Sequence, residues 1–225
     1  MESRVKRRKR SVRPGCRSVL TGAWNHFKTI TRHKYLVMKG CFAVGLYRQG
    51  LTHDLSKYAP SEFLVGARYF QGDRSPNNAE REEKGYSSAW LHHKGRNKHH
   101  YEYWIDYSTR EVPGGIAPVE MPVKYVAEML MDRIAASRVY LGKEYTDGAP
   151  LRYFQSAREI PVMHEKTKKL LTRLLQMLDE KGEEATFAWV RNVLLRKGGR
   201  SKGRFAGHRK RRGRKMIQIR ERRIG

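Results

Sequence analysis

The chain has 225 residues, which suits one domain with terminal extensions, because domains commonly contain about 100 to 200 residues. Its two cysteines, Cys16 and Cys41, exclude a framework of several disulfides and a cysteine-based zinc finger. The most apolar stretch, residues 35–47, is shorter than the roughly 20 residues that span a bilayer. We therefore expect a cytoplasmic protein without membrane association.

The formal net charge of +26 is concentrated at the two ends of the chain. Residues 1–17 contain eight Lys/Arg and one acidic residue, and residues 196–225 contain fourteen Lys/Arg and one acidic residue. Segments with so much like charge and so few large apolar residues cannot offset the entropy lost on ordering. The sequence therefore predicts basic, disordered tails at 1–17 and 197–225, and one helical domain at 18–196.

The first half of the domain has the apolar spacing of helices. Apolar residues recur every three or four positions over 18–47, which predicts one long helix or two abutting helices. Pro60 suits the start of a further helix that ends near Gly72. Residues 79–107 are expected to be helical, with an interruption near Gly95.

The second half is interpreted in the same way. A loop rich in Pro and Gly covers 112–118, and Pro122 suits the first position of a helix over 123–141. Two amphipathic helices are predicted at 165–180 and 183–196. The sequence contains neither an alternating strand pattern nor an internal repeat, so the predicted fold is all-α, a compact helical bundle.

Histidines are unusually dense between positions 33 and 100. A single histidine is more often a surface or core residue than a ligand, but the clustering favours a site. His92 and His99, like His93 and His100, lie seven residues apart, so each pair would share one face of a continuous helix. A break at Gly95 would instead fold the pairs toward each other. The clustered histidines are His33, His53, His92, His93, His99 and His100.

Carboxylates accompany these histidines. Glu128 and Asp132 are four apart and stack on one helix face, where they repel each other unless a cation lies nearby. The alternative is a solvated face or pairing with Arg133 or Arg138. Imidazoles and carboxylates from separate helices, completed by His53-Asp54, predict a preassembled site for a divalent transition metal such as Zn, Fe, Mn, Co or Ni.

Three segments resemble a family of small uncharacterised bacterial and phage proteins, over roughly residues 33–167. They are HDLSKYAPSEF (53–63), AWLHHKGRNKHHYEYW (89–104) and EMLMD (128–132). More distantly, the order of the histidines and acidic residues is similar to the HD-domain superfamily of helical, metal-dependent phosphohydrolases. That resemblance implies an HD-like fold that hydrolyses a nucleotide or another phosphoester.

The HD-like pattern also implies roles for individual residues. Two of His92, His93, His99 and His100 would hold a second metal, and Asp54 would bridge the two. The first metal would be bound by His33, His53, Asp54 and Asp132.

In such a site the metal lowers the pKa of a bound water, and a nearby cation stabilises the phosphoryl oxygens. Lys57 is the first choice for that cation and Arg96 is the alternative, although most lysines are simply solvated. Glu62 or Glu128 would orient the water or a ligand histidine, while Glu62 also suits the first turn of a helix. The predicted catalytic residues are Asp54, Lys57 and Glu128.

Two other functions fit the same sequence. The basic tails alone would bind DNA or RNA phosphates without sequence preference, and the histidines would then only pack. The histidine cluster would otherwise be a structural metal site without turnover. The expected partners are a small phosphoester substrate and, through the tails, nucleic acid.

Overall fold

The structure, a computed structural model, describes residues 16–156 and 162–196. The two predicted tails lie outside these ranges, except that Cys16 and Arg17 begin the first helix. The all-α prediction is confirmed. The helices of the described part are α1 (Cys16–Ala43), α2 (Tyr47–Thr52), α3 (Pro60–Tyr69), α4 (Pro76–Lys84), α5 (Ser88–Lys94), α6 (Val123–Leu141), α7 (Ala149–Ser156) and α8 (Glu165–Trp189).

Helix α6 lies at the centre of the bundle. All the residues from Val126 to Met131 are buried, because α1 packs along one side of the helix and α8 along another. The facing stripe of α1 includes Val37 and Cys41, and the leucines of α8, including Leu171 and Leu175, close the other side. None of the described helices is long and apolar enough to cross a membrane.

The stripe that α1 buries contains both apolar and polar residues. Ile30 and Val37 are buried, and so are His26 and His33, which fall at the same three- and four-residue steps. The period that predicts an apolar face therefore also carries imidazoles into the interior. As a result, one end of the bundle has an apolar core and the other end has a polar one.

Glycines with positive φ mark two predicted helix boundaries. The segment predicted as one long helix or two abutting helices over 18–47 forms two helices, because α1 ends at Ala43 before Gly45, which has φ +85°, and α2 begins at Tyr47. Helices were also predicted at 165–180 and 183–196, and Gly182, with φ +76°, interrupts the helical geometry of α8 between these ranges. A short π-helical turn, Val190–Leu194, continues α8.

The prediction of helix over 79–107 with an interruption near Gly95 is confirmed only in part. Helix α4 ends at Lys84, before Gly85 with φ +81°, and α5 occupies seven residues and ends at Lys94, just before Gly95. A 3-10 turn (Tyr101–Trp104) follows and leads into strand β1 (Ile105–Tyr107), which pairs antiparallel with β2 (Ile116–Pro118). The hairpin therefore joins the end of the segment predicted as helix (79–107) to the end of the segment predicted as a loop (112–118). Helix α7 was also not predicted.

A buried carboxylate fixes the start of α5. Glu80 on α4 is fully buried, and its two oxygens accept hydrogen bonds from the hydroxyls of Ser87 (2.7 Å) and Ser88 (2.6 Å). Ser87 in turn accepts from the amide of Trp90, which caps the helix. Burial alone would raise the pKa of Glu80, but these hydrogen bonds lower it to about 2. The carboxylate is therefore ionised and holds α5 in place.

We expect Glu80→Gln to reduce the free energy of unfolding at pH 7 by about 1–3 kcal/mol, because charged hydrogen bonds in the interior are lost. The pKa of Glu80 is lowered on folding, so its contribution is complete above pH 4.5 and is lost as the pH falls toward 2. The gap between wild type and variant in urea unfolding should therefore narrow over that range.

The control is Glu82→Gln, which removes an exposed ion pair with Arg74 and should change the free energy of unfolding much less than Glu80→Gln does. Equal losses in the two variants would show that Glu80 does not anchor α5.

Candidate metal centre

Five parts of the chain bring histidines and carboxylates together at the polar end of the bundle. His33 comes from α1, and Glu128 and Asp132 come from α6. His53 and Asp54 lie between α2 and a 3-10 turn, and three more histidines lie at the end of α5 and in the loop after it. The residues whose ligand atoms converge are His33, His53, Asp54, His93, His99, His100, Glu128 and Asp132.

One set of four ligands, here called group 1, consists of His33, His53, Asp54 and Asp132, with the ligand atoms within 4.8 Å of one another. His33 Nε2 lies 2.9 Å from Asp132 Oδ1 and 3.8 Å from Asp54 Oδ2. His53 Nε2 lies 3.3 Å from Asp54 Oδ2 and 3.5 Å from Asp132 Oδ1. These are the four residues that the HD-like pattern assigned to a first metal.

A second set, group 2, consists of Asp54, His93, His99 and His100, also within 4.8 Å. The Nε2 atoms of His93 and His99 each lie 3.3 Å from Asp54 Oδ1. His93 Nε2 lies 2.9 Å from His100 Nε2. Asp54 therefore belongs to both groups and presents a different oxygen to each.

The backbone at Asp54 is unusual. Asp54 has φ +52°, the only positive φ at a non-glycine residue in the described part of the chain. Aspartate tolerates this region better than most residues, and such conformations often occur at functional sites. Lys34 holds the preceding turn, because its Nζ donates to the carbonyls of Leu51 (2.7 Å) and His53 (2.8 Å). Lys34 thus fixes the backbone that leads into Asp54 and its shared carboxylate.

Glu128 orients two of the imidazoles. Its Oε1 lies 3.0 Å from His53 Nδ1 and 3.2 Å from His99 Nδ1, and both rings are buried. When each Nδ1–H donates to this carboxylate, each Nε2 carries a free lone pair toward Asp54. Carboxylates that bind the outer nitrogen of a ligand histidine typically fix its tautomer and orientation. Glu128, predicted as catalytic, therefore lies where a positioning residue would lie.

Glu62 plays the same part for His93. Its Oε2 lies 2.8 Å from His93 Nδ1, and the carboxylate is buried. Its other oxygen contacts His92, which also bonds to Ser61 and does not join either group. Because α5 ends at Lys94, the pairs do not share one face of a continuous helix, and of the two alternatives the break at Gly95 is the one that occurs.

The loop after α5 returns two histidines to the site, beside His93 of α5. Asn97 donates from Nδ2 to Ser56 Oγ (2.8 Å) and to the carbonyl of His93 (2.8 Å), which ties this loop to the turn that follows Asp54. The Gly95 break was one of two possibilities in the sequence, and it brings His99 and His100 back beside His93. The outcome is three inward imidazoles rather than a pair.

The chemistry of the orphaned atoms fits a metal ion. Three buried atoms of the two groups have no hydrogen-bond partner in the described part of the chain: His53 Nε2, His99 Nε2 and Asp54 Oδ1. Two donors bound about 2.1 Å from one metal lie about 3.0 Å apart at an octahedral angle and about 3.4 Å apart at a tetrahedral angle. The donor separations in both groups span these values. The buried cluster could therefore hold a divalent transition metal.

The protonation states of four of the ligands are suited to ligation. Burial acts to raise the pKa of Asp54, but His53 and Lys57 hold it well below its usual value. Burial likewise opposes ionisation of Asp132, and the hydrogen bond from His33 keeps its pKa low. Burial lowers the pKa of His33 and of His100, which leaves both imidazoles neutral. Burial also acts to lower the pKa of His53 and His99, but the neighbouring carboxylates raise it, so a metal would displace a proton from these two rings. Ionised carboxylates and neutral imidazoles are the forms that bind metals.

A cavity of about 990 Å³ opens from these groups. Members of both groups line it, including His33 and His93, and so does Lys57. Lys57 Nζ lies 2.6 Å from Asp54 Oδ2. Burial acts to lower the pKa of Lys57, but Asp54 raises it above its usual value, so the side chain remains an ammonium ion. Arg96 instead bonds to the carbonyl of His92 on the exposed surface.

Sequence reasoning missed the role of Lys34. It also could not decide whether Glu128 and Asp132 on α6 face solvent, pair with an arginine or join the histidines. Lys34 follows a predicted ligand, but a helical lysine is usually solvated, so the sequence contains no signal for it. The alternative partner Arg138 is paired with Glu183 at 2.7 Å, which leaves Glu128 and Asp132 to the histidines.

Comparison with known proteins identifies one family. The model of DUF5662, a family of unknown function, matches residues 22–177, which include both groups and Glu128. No curated protein and no solved structure matches the chain.

We expect tag-free protein to contain divalent metal that is lost in His53→Ala and Asp54→Ala, because each change removes a buried ligand. Glu128→Gln should lower metal affinity about 10- to 100-fold, since it disturbs the orientation of His53 and His99. His92→Ala is the matched control and should retain the metal. Elemental mass spectrometry on folded variants measures this, and retention of full metal content by Asp54→Ala would contradict the assignment.

Proposed function

This chain belongs to DUF5662, a family of unknown function, and we propose from its site that it is a metal-dependent phosphohydrolase acting on a nucleotide or another phosphoester. The observation that carries the proposal is the sharing of Asp54 by two ligand groups that border one cavity. Pairs of divalent metals held close together are common where phosphoesters are hydrolysed. The order of the ligands along the chain also resembles that of HD-domain phosphohydrolases, and we use this only as an analogy.

The two groups differ in charge. Group 1 combines two imidazoles with the carboxylates of Asp54 and Asp132, whereas group 2 combines three imidazoles with the shared Asp54. Divalent metals held there would supply Lewis-acid chemistry, lowering the pKa of a water and neutralising phosphoryl oxygens. The mixed ligand set suits Zn, Fe, Mn, Co or Ni.

The chain itself supplies a further cation. Lys57 lines the cavity and is protonated. Its Nζ lies 2.6 Å from Oδ2 of Asp54, which is three positions earlier in the chain. An ammonium ion at this place can stabilise the charge on phosphoryl oxygens. It cannot act as a proton acceptor, because the carboxylate beside it favours the charged form. We assign Lys57 to charge stabilisation and Glu128 and Glu62 to holding the histidines.

We expect the metal-reconstituted protein to release inorganic phosphate from at least one substrate in a panel of phosphomonoesters, phosphodiesters and nucleotides. Asp54→Asn should reduce this rate about a thousandfold or more, because the Lewis-acid contribution is worth several kcal/mol. Lys57→Met should reduce it about 10²- to 10³-fold, as the loss of one charge-stabilising group commonly does.

The control for Lys57 is Lys168→Met, an exposed lysine on α8, which should leave the rate unchanged. Stoichiometric metal without phosphate release from any substrate, with each of the five metals, would exclude hydrolysis and leave a non-catalytic metal site.

We also propose that the basic ends contact DNA or RNA. Together residues 1–17 and 196–225 carry +20 of the net charge, which supports phosphate binding without sequence preference. A chain lacking 1–15 and 197–225 should lose salt-sensitive nucleic-acid binding, measured by fluorescence anisotropy at several salt concentrations, while its metal content stays constant. Unchanged affinity in the truncated chain would exclude the tails as the binding element.

A further inference from the structure

The cavity contains two polar side chains that the metal site does not use. Glu102 follows His100 by two residues and Arg133 follows Asp132 by one, so both lie beside metal ligands in the sequence, and both line the cavity. Glu102 Oε2 and Arg133 Nε are buried and have no hydrogen-bond partner in the described part of the chain. A buried donor or acceptor without a partner is costly, and it is typically satisfied by a ligand or ordered water.

The chemistry of the two orphaned atoms restricts the ligand. Glu102 Oε2 accepts a hydrogen bond and Arg133 Nε donates one. A bare anion would meet the carboxylate, and a bare cation would meet the guanidinium, so neither suits both. A neutral group that carries both an N–H donor and an acceptor can satisfy both atoms.

Aromatic side chains surround the same space. Trp90, Tyr101, Tyr140 and Tyr153 all line the cavity. The cation of Arg133 itself lies 5.1 Å from the ring of Phe154, which holds the guanidinium against the cavity wall. Aromatic rings stack on flat heterocycles whatever their substituents. A planar ring with a donor–acceptor edge is therefore favoured over a sugar or an aliphatic chain.

Residues of this region and residues of the two ligand groups line the same cavity. His100 and Asp132 belong to group 2 and group 1, and both line the cavity together with Glu102 and Arg133. The volume of about 990 Å³ lies within the range of small-molecule sites, roughly 300–1,000 Å³. It can accept a ligand that has a phosphate at one end and a ring at the other.

We propose that Glu102 and Arg133 bind the heterocyclic base of a nucleotide, with its phosphate directed toward the metal ligands. This inference rests on the proposed function for the fate of the phosphate, but the base-binding step stands without catalysis. Glu102 accepts from a ring or exocyclic N–H, and Arg133 donates to a ring nitrogen or carbonyl oxygen. The two residues then determine which bases are accepted, because a base with the reversed donor–acceptor edge leaves both atoms unpaired.

The test measures binding of the four ribonucleosides, which lack phosphate, to the full chain by isothermal titration calorimetry in the presence of a metal chelator. We expect at least one nucleoside to bind, and ribose 5-phosphate not to bind under these conditions. Glu102→Gln and Arg133→Met should each weaken nucleoside binding about tenfold or more, which corresponds to about 1.4 kcal/mol. The matched controls, Glu184→Gln and Arg191→Met, are exposed on the last helical segment and should bind as wild type does.

The outcomes separate this inference from the proposed function. Nucleoside binding without phosphate release from any nucleotide would leave base recognition in place and exclude hydrolysis. Phosphate release from simple phosphomonoesters, with no nucleoside binding by the wild type, would overturn base recognition and leave hydrolysis in place. The wild-type measurement decides this even where a variant fails to fold, and circular dichroism of each variant identifies such failures.

Discussion

The buried carboxylate of Asp54 is the group on which the site depends. An ionised carboxylate in the interior costs several kcal/mol unless opposite charges or strong donors surround it. At Asp54 one oxygen faces His33 and His53 and the other faces His93 and His99. The ammonium ion of Lys57 is the charge that the chain itself provides. Asp54 thereby contacts side chains from α1, from α5 and from the loops next to these helices.

Around that carboxylate, the same arrangement of carboxylate and imidazole occurs twice. Glu128 holds the outer nitrogens of His53 and His99, and Glu62 holds that of His93. Each of these glutamates is itself buried, so hydrogen bonds from the histidines stabilise its charge while it orients their rings. The rings therefore cannot rotate without leaving a buried charge unpaired, and the inward nitrogens are held in place before any ligand binds.

The sequence was informative where residue type and period agree. The apolar period over 18–47 predicted α1, and Pro122 predicted the start of α6, so the helices that carry His33 and Asp132 were predictable. The phase of α5 was not, because it depends on Glu80, whose hydrogen bonds with Ser87 and Ser88 are not apparent in a run of exposed, charged residues. The hairpin and α7 were missed because their segments are short and carry no clear period.

The division of the bundle into an apolar end and a polar end explains how such a site is tolerated. Close packing of α6 against Val37, Cys41 and the leucines of α8 stabilises the fold without help from the histidines. At the polar end, buried atoms remain without partners, so a ligand that binds them stabilises the folded state by its own binding free energy. Because Asp54 belongs to both groups, a metal bound by one group would change the charge that this carboxylate presents to the other.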